Sequence, residues 1–141
     1  MFKHILLAVD LNEPGSWARA LPVALELCKP SSATLHVITV MPSIDPSISP
    51  YFPEDATRKM LEKAKVELRA FVDTNVPKEL KARDIVAHGS IYREILSAAE
   101  DIGADVIVMA SHKPEVKDYL LGANAAHVVR HYPRSVLVVR D

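Results

Sequence analysis

The sequence predicts one α/β domain over residues 1–141, a doubly wound fold in which four helices cover a five-stranded parallel sheet with the strand order 3-2-1-4-5. Short apolar runs rich in β-branched residues alternate along the chain with amphipathic, helix-like segments. Strands that are separated by helices run parallel and are joined by right-handed crossovers. The length of 141 residues is enough for one domain with a proper core and too short for two ordinary domains.

The first half of the chain contains two predicted strands and two predicted helices. Pro22 lies inside the first helical pattern, where it is expected to kink the helix or delay its start. Four prolines follow the second strand, a density that fits neither a helix nor a sheet and therefore predicts a loop. The predicted elements are strand Ile5–Val9, helix Ser16–Cys28, strand Leu35–Val40, loop Met41–Pro53 and helix Glu54–Val72.

The second half of the chain alternates three predicted strands with two helices. The run VIVMA shows no apolar–polar alternation, which indicates a strand covered on both faces. The last helix is expected to begin at Asn124, because asparagine is a good N-cap residue. The predicted elements are strand Asp84–His88, a helix that begins at Gly89-Ser90 and extends to Ile102, strand Val106–Ala110, helix Asn124–His131 and strand Val136–Val139.

Composition excludes several classes of protein. The 17 Lys and Arg residues nearly balance the 18 Asp and Glu residues, so no broad electrostatic field favours nucleic acid or an anionic membrane. Cys28 is the single cysteine, which precludes an internal disulfide and fits a reducing compartment. The apolar run before Asp10 is too short for a transmembrane helix and has no cleavage site. A cytoplasmic protein without membrane insertion is expected.

The fold class alone predicts where a ligand binds. In doubly wound sheets the ligand lies beyond the carboxyl ends of the strands, at the point where the strand order reverses. That rule selects three segments of this chain: Asp10–Asn12 after strand one, Val40–Pro42 after strand two and Ser111–Gly122 after strand four. The third segment ends at a helix N-terminus, where backbone N–H groups favour a phosphate.

Five stretches of the chain resemble the universal stress protein family and together span nearly the whole sequence. They are "ILLAVD", "LHVITV", "GADVIVMASH", "LLGANAAHVVRH" and "SVLVV". The family has the fold that the alternation of strands and helices predicts. The resemblance implies an ATP-binding regulatory protein of the stress response, a nucleotide-sensing module that forms a homodimer through its C-terminal strand. The apolar "SVLVV" is consistent with that, since an exposed edge strand tends to pair.

The phosphate motif of the family is only partly kept. Nucleotide-binding members have G-x2-G-x9-G-(S/T), and its glycines fall here on Ala110, Lys113 and Gly122, with the last spacer one residue short. Ala123 stands at the Ser/Thr position. The stretch "ASHKPEVKDYLLGANAA" resembles a variant branch, A-S-H-(R/K)-P…Y-L-L-G-(S/A)-N-A-A, whose members are associated with ATP binding despite the missing glycines. The resemblance therefore implies an ATP site with altered residues, in which phosphate oxygens mainly hold Mg2+.

The resemblance also implies roles for individual residues. The backbone of Val37 would contact the adenine edge, Met109 would lie under the nucleotide, and His112 would face the phosphates or the ribose. No catalytic residue and no protein ligand for a metal is implied. The implied nucleotide-binding residues are Ala8, Val9, Asp10, Val37, Met109, Ala110, His112, Lys113, Gly122, Ala123 and Asn124.

Simpler structural roles remain open for five of these residues. His112 could be a loop histidine whose ring is hydrated by water. Gly122 could be a turn glycine with positive φ, or it could allow a phosphate to approach the backbone. Asn124 could cap the last helix or donate its amide to a phosphate. Lys113 could be a solvated loop residue or a point charge for a phosphate. Asp10 could close a local turn or accept a hydrogen bond from ribose or adenine.

Two other functions remain as alternatives. One is a universal stress-type dimer that does not bind nucleotide, which the loss of glycines would favour. The other is a weak ATPase or an adenylyl-transfer enzyme, although no catalytic constellation is evident and hydrolysis is expected to be slow at most. His127 and His131 share a helix face but lack a third metal ligand. Partners beyond a second copy are a regulated protein or a transporter, and not nucleic acid.

Overall fold

The computed structural model describes residues 1–43, 46–111 and 122–140, and these form the predicted five-stranded parallel sheet in the order β3-β2-β1-β4-β5. The strands are β1 (His4–Ala8), β2 (Thr34–Met41), β3 (Lys81–His88), β4 (Val106–Ala110) and β5 (Ser135–Val139). The α-helices are α1 (Ala20–Cys28), α2 (Ala56–Asn75), α3 (Ile91–Ile102) and α4 (Ala123–His131), and short 3-10 turns occur at Pro14–Ser16 and Ser49–Tyr51.

Helices cover both faces of the sheet, as a doubly wound fold requires. Helices α1 and α2 pack on one face against fully buried side chains that include Ile5, Leu7 and Leu35. Helices α3 and α4 pack on the other face, where Leu6 and Ile107 are fully buried. Adjacent residues of one strand thus belong to opposite cores, which explains why the central strands are apolar without interruption.

Helix α1 begins four residues later than its apolar pattern predicts, and Pro22 accounts for the delay. The chain first makes the 3-10 turn Pro14–Ser16 and enters the α-helix at Ala20, so Pro22 becomes its third residue. The N–H groups of a first turn have no partner within the helix, and proline there removes no helical hydrogen bond. The second helix likewise begins later and ends later than predicted, at Ala56 and Asn75.

Four predicted boundaries in the second half are wrong. Helix α3 begins at Ile91 and not at Gly89-Ser90, and β5 begins at Ser135 and not at Val136. Strand β3 begins at Lys81 and not at Asp84. Because β3 is an edge strand, its first residues alternate between exposed and partly buried, so they lack the continuous apolar run on which the prediction relied. Helix α4 has Gly122 as its N-cap, and Asn124 is its second residue and caps nothing. No helix in the described ranges is long and apolar enough to cross a membrane.

Candidate functional site

A cavity of about 750 Å³ lies at the carboxyl ends of β1, β2 and β4, where the fold class predicts a ligand. Two of the three predicted segments, Asp10–Asn12 and Val40–Pro42, border it along their whole length. Gly122, the last residue of the third segment, also borders it. The volume falls within the range of about 300–1,000 Å³ that is typical of small-molecule sites. Residues from three segments distant in sequence thus border one cavity.

The turn after β1 is closed by Asp10. Its Oδ1 accepts a hydrogen bond from the N–H of Asn12 at 3.0 Å, and the hydroxyl of Ser16 bonds both its N–H, at 2.8 Å, and its C=O, at 3.0 Å. The local-turn role that the sequence left open for Asp10 is therefore present. Asp10 is also exposed and borders the cavity, so the turn holds a carboxylate at its rim.

The backbone that faces the cavity from β2 belongs to Val40 and not to Val37. In a parallel sheet, alternate residues direct their N–H and C=O towards opposite neighbouring strands. The C=O of Ile38 accepts from the N–H of Val9 at 2.9 Å, so Ile38 and Val40 face β1. Val37 faces β3 and is fully buried, and it does not border the cavity. The structure therefore does not bring Val37 to the site.

Val40 extends beyond the paired part of β1. The register of β1 and β2 ends at Ala8 and Ile38, and one further bond joins Val9 to Ile38. The chain then turns away at Asp10, so the next backbone groups of β2 on that side have no strand beside them. Val40 directs one donor and one acceptor towards the space where β1 would otherwise continue.

The N-terminus of α4 forms the opposite wall of the cavity. Its first internal bond joins the N–H of Ala126 to the C=O of Gly122 at 2.9 Å, and no side chain of the described residues caps the helix. The N–H groups of Ala123, Asn124 and Ala125 therefore have no partner within the helix, and all three residues border the cavity. Gly122 has φ −54° and ψ 151°, which any residue adopts, so it does not have the positive φ of a turn glycine.

The remaining predicted residues divide into two groups. Ala8, Val9, Met109 and Ala110 border the cavity, and Met109 is buried beneath it. His112 and Lys113 lie outside the described residues. With Asp10, Gly122, Ala123 and Asn124, eight of the predicted residues therefore border one cavity and Val37 does not.

The described lining is acidic. Three carboxylates border the cavity, those of Asp10, Glu13 and Glu67, and no Lys, Arg or His does so among the residues that the structure describes. Glu67 is paired with Lys63 at 3.7 Å, which partly offsets its charge. A polyanionic ligand would need additional positive charge here, from a metal ion or from a cationic side chain.

Several residues that border the cavity were not among those predicted from the sequence. Ile91 and Ile95 lie in the first turns of α3, and their place at the start of a helix that follows β3 is a signal that the sequence offers. No signal in the sequence could show that α2 approaches the cavity, because helix placement depends on packing. The missed residues are Glu13, Ser16, Ile38, Thr39, Ala64, Glu67, Ile91, Ile95 and Ala125.

Two other candidate groups have structural roles. Cys28 is fully buried, and burial raises the pKa of its thiol to about 11, so it is a core residue and a poor nucleophile. The ring of His127 stacks on Tyr92, with 4.2 Å between centroids. Across the described part of the chain, no three His, Cys, Asp or Glu side chains lie close enough together to hold a metal ion.

This chain is similar to known proteins of one family. A model of the universal stress protein family matches residues 1–140. Universal stress protein G of Shigella flexneri is 31% identical over 143 residues, which cover 99% of this chain and 100% of that protein. A universal stress protein of Methanocaldococcus jannaschii is 30% identical, covering 99% of this chain and 96% of its own.

Solved structures show the same fold. That of the Methanocaldococcus jannaschii protein has a TM-score of 0.77 and is 26% identical, covering 100% of this chain and 97% of its own. A universal stress protein in complex with cAMP has a TM-score of 0.61 at 20% identity, covering 99% of this chain and 97% of its own. A universal stress protein from Archaeoglobus fulgidus in complex with dAMP has a TM-score of 0.64 at 14% identity, covering 96% of this chain and 96% of its own. At these two identities the likeness concerns the fold alone.

Proposed function

This chain belongs to the universal stress protein family, and from that premise we propose that it is an ATP-binding regulatory protein of the stress response, a nucleotide-sensing module. One observation carries the proposal: a single cavity is bordered both by the end of β2 and by the N-terminus of α4, which no side chain of the described residues caps. An elongated ligand with a heterocycle at one end and phosphates at the other matches those two walls.

The base would bind against Val40. Adenine presents a ring nitrogen acceptor beside an exocyclic amine donor, and the N–H and C=O of Val40 offer the complementary pair. The proposed adenine contact is therefore Val40, whose backbone faces the cavity, and not Val37. Met109, buried at the base of the cavity, would provide an apolar surface under the ring.

The phosphates would bind at α4. The N–H groups of Ala123 and Asn124, together with the positive end of the helix dipole, favour an anion. Gly122 has no side chain to hinder a close approach, and its backbone angles do not themselves require glycine. His112 and Lys113 remain proposed contacts.

The acidic lining supports a role for Mg2+ in the proposed complex. Three carboxylates and a triphosphate would repel one another unless cations intervene. Mg2+ held mainly by phosphate oxygens, and the ammonium group of Lys113, would supply that charge. The same lining is the observation that favours the alternative, a universal stress-type dimer without nucleotide.

Relatives give limited support for the nucleotide. The complexes with cAMP and dAMP show that proteins of this fold can hold an adenine nucleotide. The role of Asp10 in its turn leaves it poorly placed as a general base, so hydrolysis or adenylyl transfer would be slow at most.

A homodimer through β5 is part of the proposal. Strand β5 is at the edge of the sheet with β4 as its one neighbour, and Leu137 on it is 37% exposed. An apolar edge strand of this kind pairs readily with a second copy. The proposed location is the cytoplasm, and the proposed downstream partner is a regulated protein or a transporter.

The experiment that tests the nucleotide is direct. Purified protein is denatured, and the supernatant is examined by absorbance and mass spectrometry; the refolded or nucleotide-free protein is then titrated with ATP and Mg2+ by calorimetry. Adenine nucleotide in the supernatant or a saturable heat of binding is expected. If the supernatant holds no nucleotide and no heat is observed, the family fold operates here without nucleotide and the proposal fails.

A further inference from the structure

A second cavity, of about 330 Å³, lies at the end of the sheet opposite to the 750 Å³ cavity. It is bordered by residues of β2, β3, α2 and the last residue of α3, Ile102. Its polar residues are His36, Arg69, Arg83 and Asp84. We propose that this cavity is a binding site for a small oxyanion, a carboxylate or a phosphate group, held by Arg83 and His36.

His36 is the buried polar group of this site. It is 5% exposed, and its Nε2 lies 3.2 Å from Nδ1 of His4. The other ring nitrogen, Nδ1, makes no hydrogen bond within the described part of the chain, although the ring borders the cavity. When His4 donates from Nδ1, the Nδ1–H of His36 becomes a donor available to a ligand.

Arg83 supplies the charge. It lies directly opposite His36 in the register of β2 and β3, so the two side chains extend from the same face of the sheet. Arg69 is paired with Asp84 at 3.0 Å and with Asp73 at 3.6 Å. No carboxylate of the described residues lies within ion-pair distance of Arg83, so its positive charge is not balanced.

The negative groups beside the cavity are partly offset, since the carboxylate of Asp84 is paired with Arg69. A helix C-terminus carries partial negative charge, and α3 ends beside the cavity. Two of its last four carbonyls accept backbone hydrogen bonds, since Ala104 N–H donates to Ala99 C=O at 2.9 Å and Gly103 N–H donates to Glu100 C=O at 3.1 Å. The planar guanidinium of Arg83 matches the two oxygens of a carboxylate or phosphate, and Ile85 and Ile102 would pack against a short apolar body.

Binding of an anion should change the pKa of His36. Burial lowers the pKa of His36 first, and the charges of His4 and Arg83 lower it further. The charged or titratable groups around the ring are His4 on β1, Arg83 and Asp84 on β3, and Arg69 on α2. An anion beside the ring would offset the charge of Arg83 and stabilise the imidazolium, so the pKa of His36 should rise on binding.

The experiment follows the ring signals of His36 by NMR in isotope-labelled full-length protein, with inorganic phosphate, acetate or chloride added at constant ionic strength. We expect a saturable shift with phosphate or acetate and a rise of about half a pH unit or more in the pKa of His36. If the shift saturates with only one of these two anions, that anion identifies whether the site binds a phosphate or a carboxylate. Chloride should give no saturable response.

Three variants distinguish specific binding of an anion in the cavity from general screening of charges by the added salt. Arg83→Gln should abolish the response, Arg83→Lys should weaken it severalfold because lysine lacks the planar fork, and Lys81→Gln, which removes a charge from the same strand outside the cavity, should retain it. A linear response to all three anions, or one that persists in Arg83→Gln, would overturn the proposal. If Arg83→Gln does not fold, equal binding by Arg83→Lys and the wild type overturns it.

Discussion

His4 and Asp105 bond each other in both directions at the start of β1 and β4. The N–H of His4 donates to Oδ2 of Asp105 at 2.9 Å, and the N–H of Asp105 donates to the C=O of His4 at 2.8 Å. The same Oδ2 accepts from the N–H of Lys3 at 2.7 Å. One carboxylate thus fixes the register at which two central strands begin, 101 residues apart in sequence.

Removing this carboxylate should destabilise the fold. Asp105→Ala leaves the N–H groups of Lys3 and His4 without their acceptor, so we expect a loss of about 1–3 kcal/mol in the free energy of unfolding, measured in urea. Those N–H groups, His4 first, hold the pKa of Asp105 below its usual value of 3.8. The contribution should therefore persist at neutral pH and decline only as the pH falls below about 3.8. Asp101→Ala should change stability by less than about 0.5 kcal/mol.

Stability should also fall between neutral and mildly acidic pH because of His36. Burial, His4 and Arg83 lower the pKa of His36 from its ordinary value of 6.5. The unfolded chain therefore takes up a proton at a higher pH than the folded chain does. The stability contributed by neutral His36 is complete above 6.5 and is lost as the pH falls below it. Thermal unfolding in a buffer without phosphate should show a steeper decline in wild type than in His36→Gln, and parallel curves would contradict this.

Sequence patterns predicted the strands, the helices and the edge of the sheet at which the 750 Å³ cavity lies. These features depend on local periodicity and on a general rule for doubly wound sheets. The sequence patterns did not predict which way the backbone of Val37 faces. That depends on whether Ile38 or Val37 bonds to β1. The pairing of two strands decides this, and the sequence of one strand does not contain it. The cap of α4 was missed for a similar reason, since Gly122 is as compatible with a cap as Asn124 is.

Gly122 should matter for ATP and little for stability. With φ −54° it has no need of glycine, so Gly122→Val should fold, but the added side chain should obstruct a phosphate at α4. We expect ATP affinity to fall by about tenfold or more, about 1.4 kcal/mol. Gly103→Ala is the matched control: Gly103 has φ +64°, so that variant should lose about 1 kcal/mol of stability and keep its ATP affinity. A Gly122→Val protein that is unstable yet binds ATP normally would assign the glycine to the fold.

The edge position of β5 predicts the effect of a proline there. Val138→Pro removes a backbone N–H and disfavours pairing of β5 with a second copy. We expect wild type to be a dimer at micromolar concentration by light scattering and Val138→Pro to shift towards monomer. Circular dichroism should confirm that the variant keeps its helices. A monomeric wild type at that concentration would refute the proposed interface.

Lys113 and Asn124 distinguish an altered phosphate motif from one that has lost its function. Lys113 stands where the family motif has glycine, and the N–H of Asn124 borders the cavity. If both contact phosphate, Lys113→Ala should lose one charge-assisted contact, about 1.5–3 kcal/mol, for ADP and ATP alike. Adenosine, which has no phosphate, should bind nearly as before. Calorimetric titration of each variant with the three ligands measures these differences.

Asn124→Ala should also weaken ADP and ATP binding, by less than Lys113→Ala, and leave adenosine binding nearly unchanged. The stability of this variant gives a second measurement. Asn124 is not the N-cap of α4, because Gly122 is, so removing its side chain should not incur the cost of about 1 kcal/mol that a lost cap would bring. A drop in ATP affinity at unchanged stability would therefore indicate a direct contact with phosphate. Equal affinity of wild type for adenosine, ADP and ATP would instead mean that the loop before α4 only connects β4 to the helix.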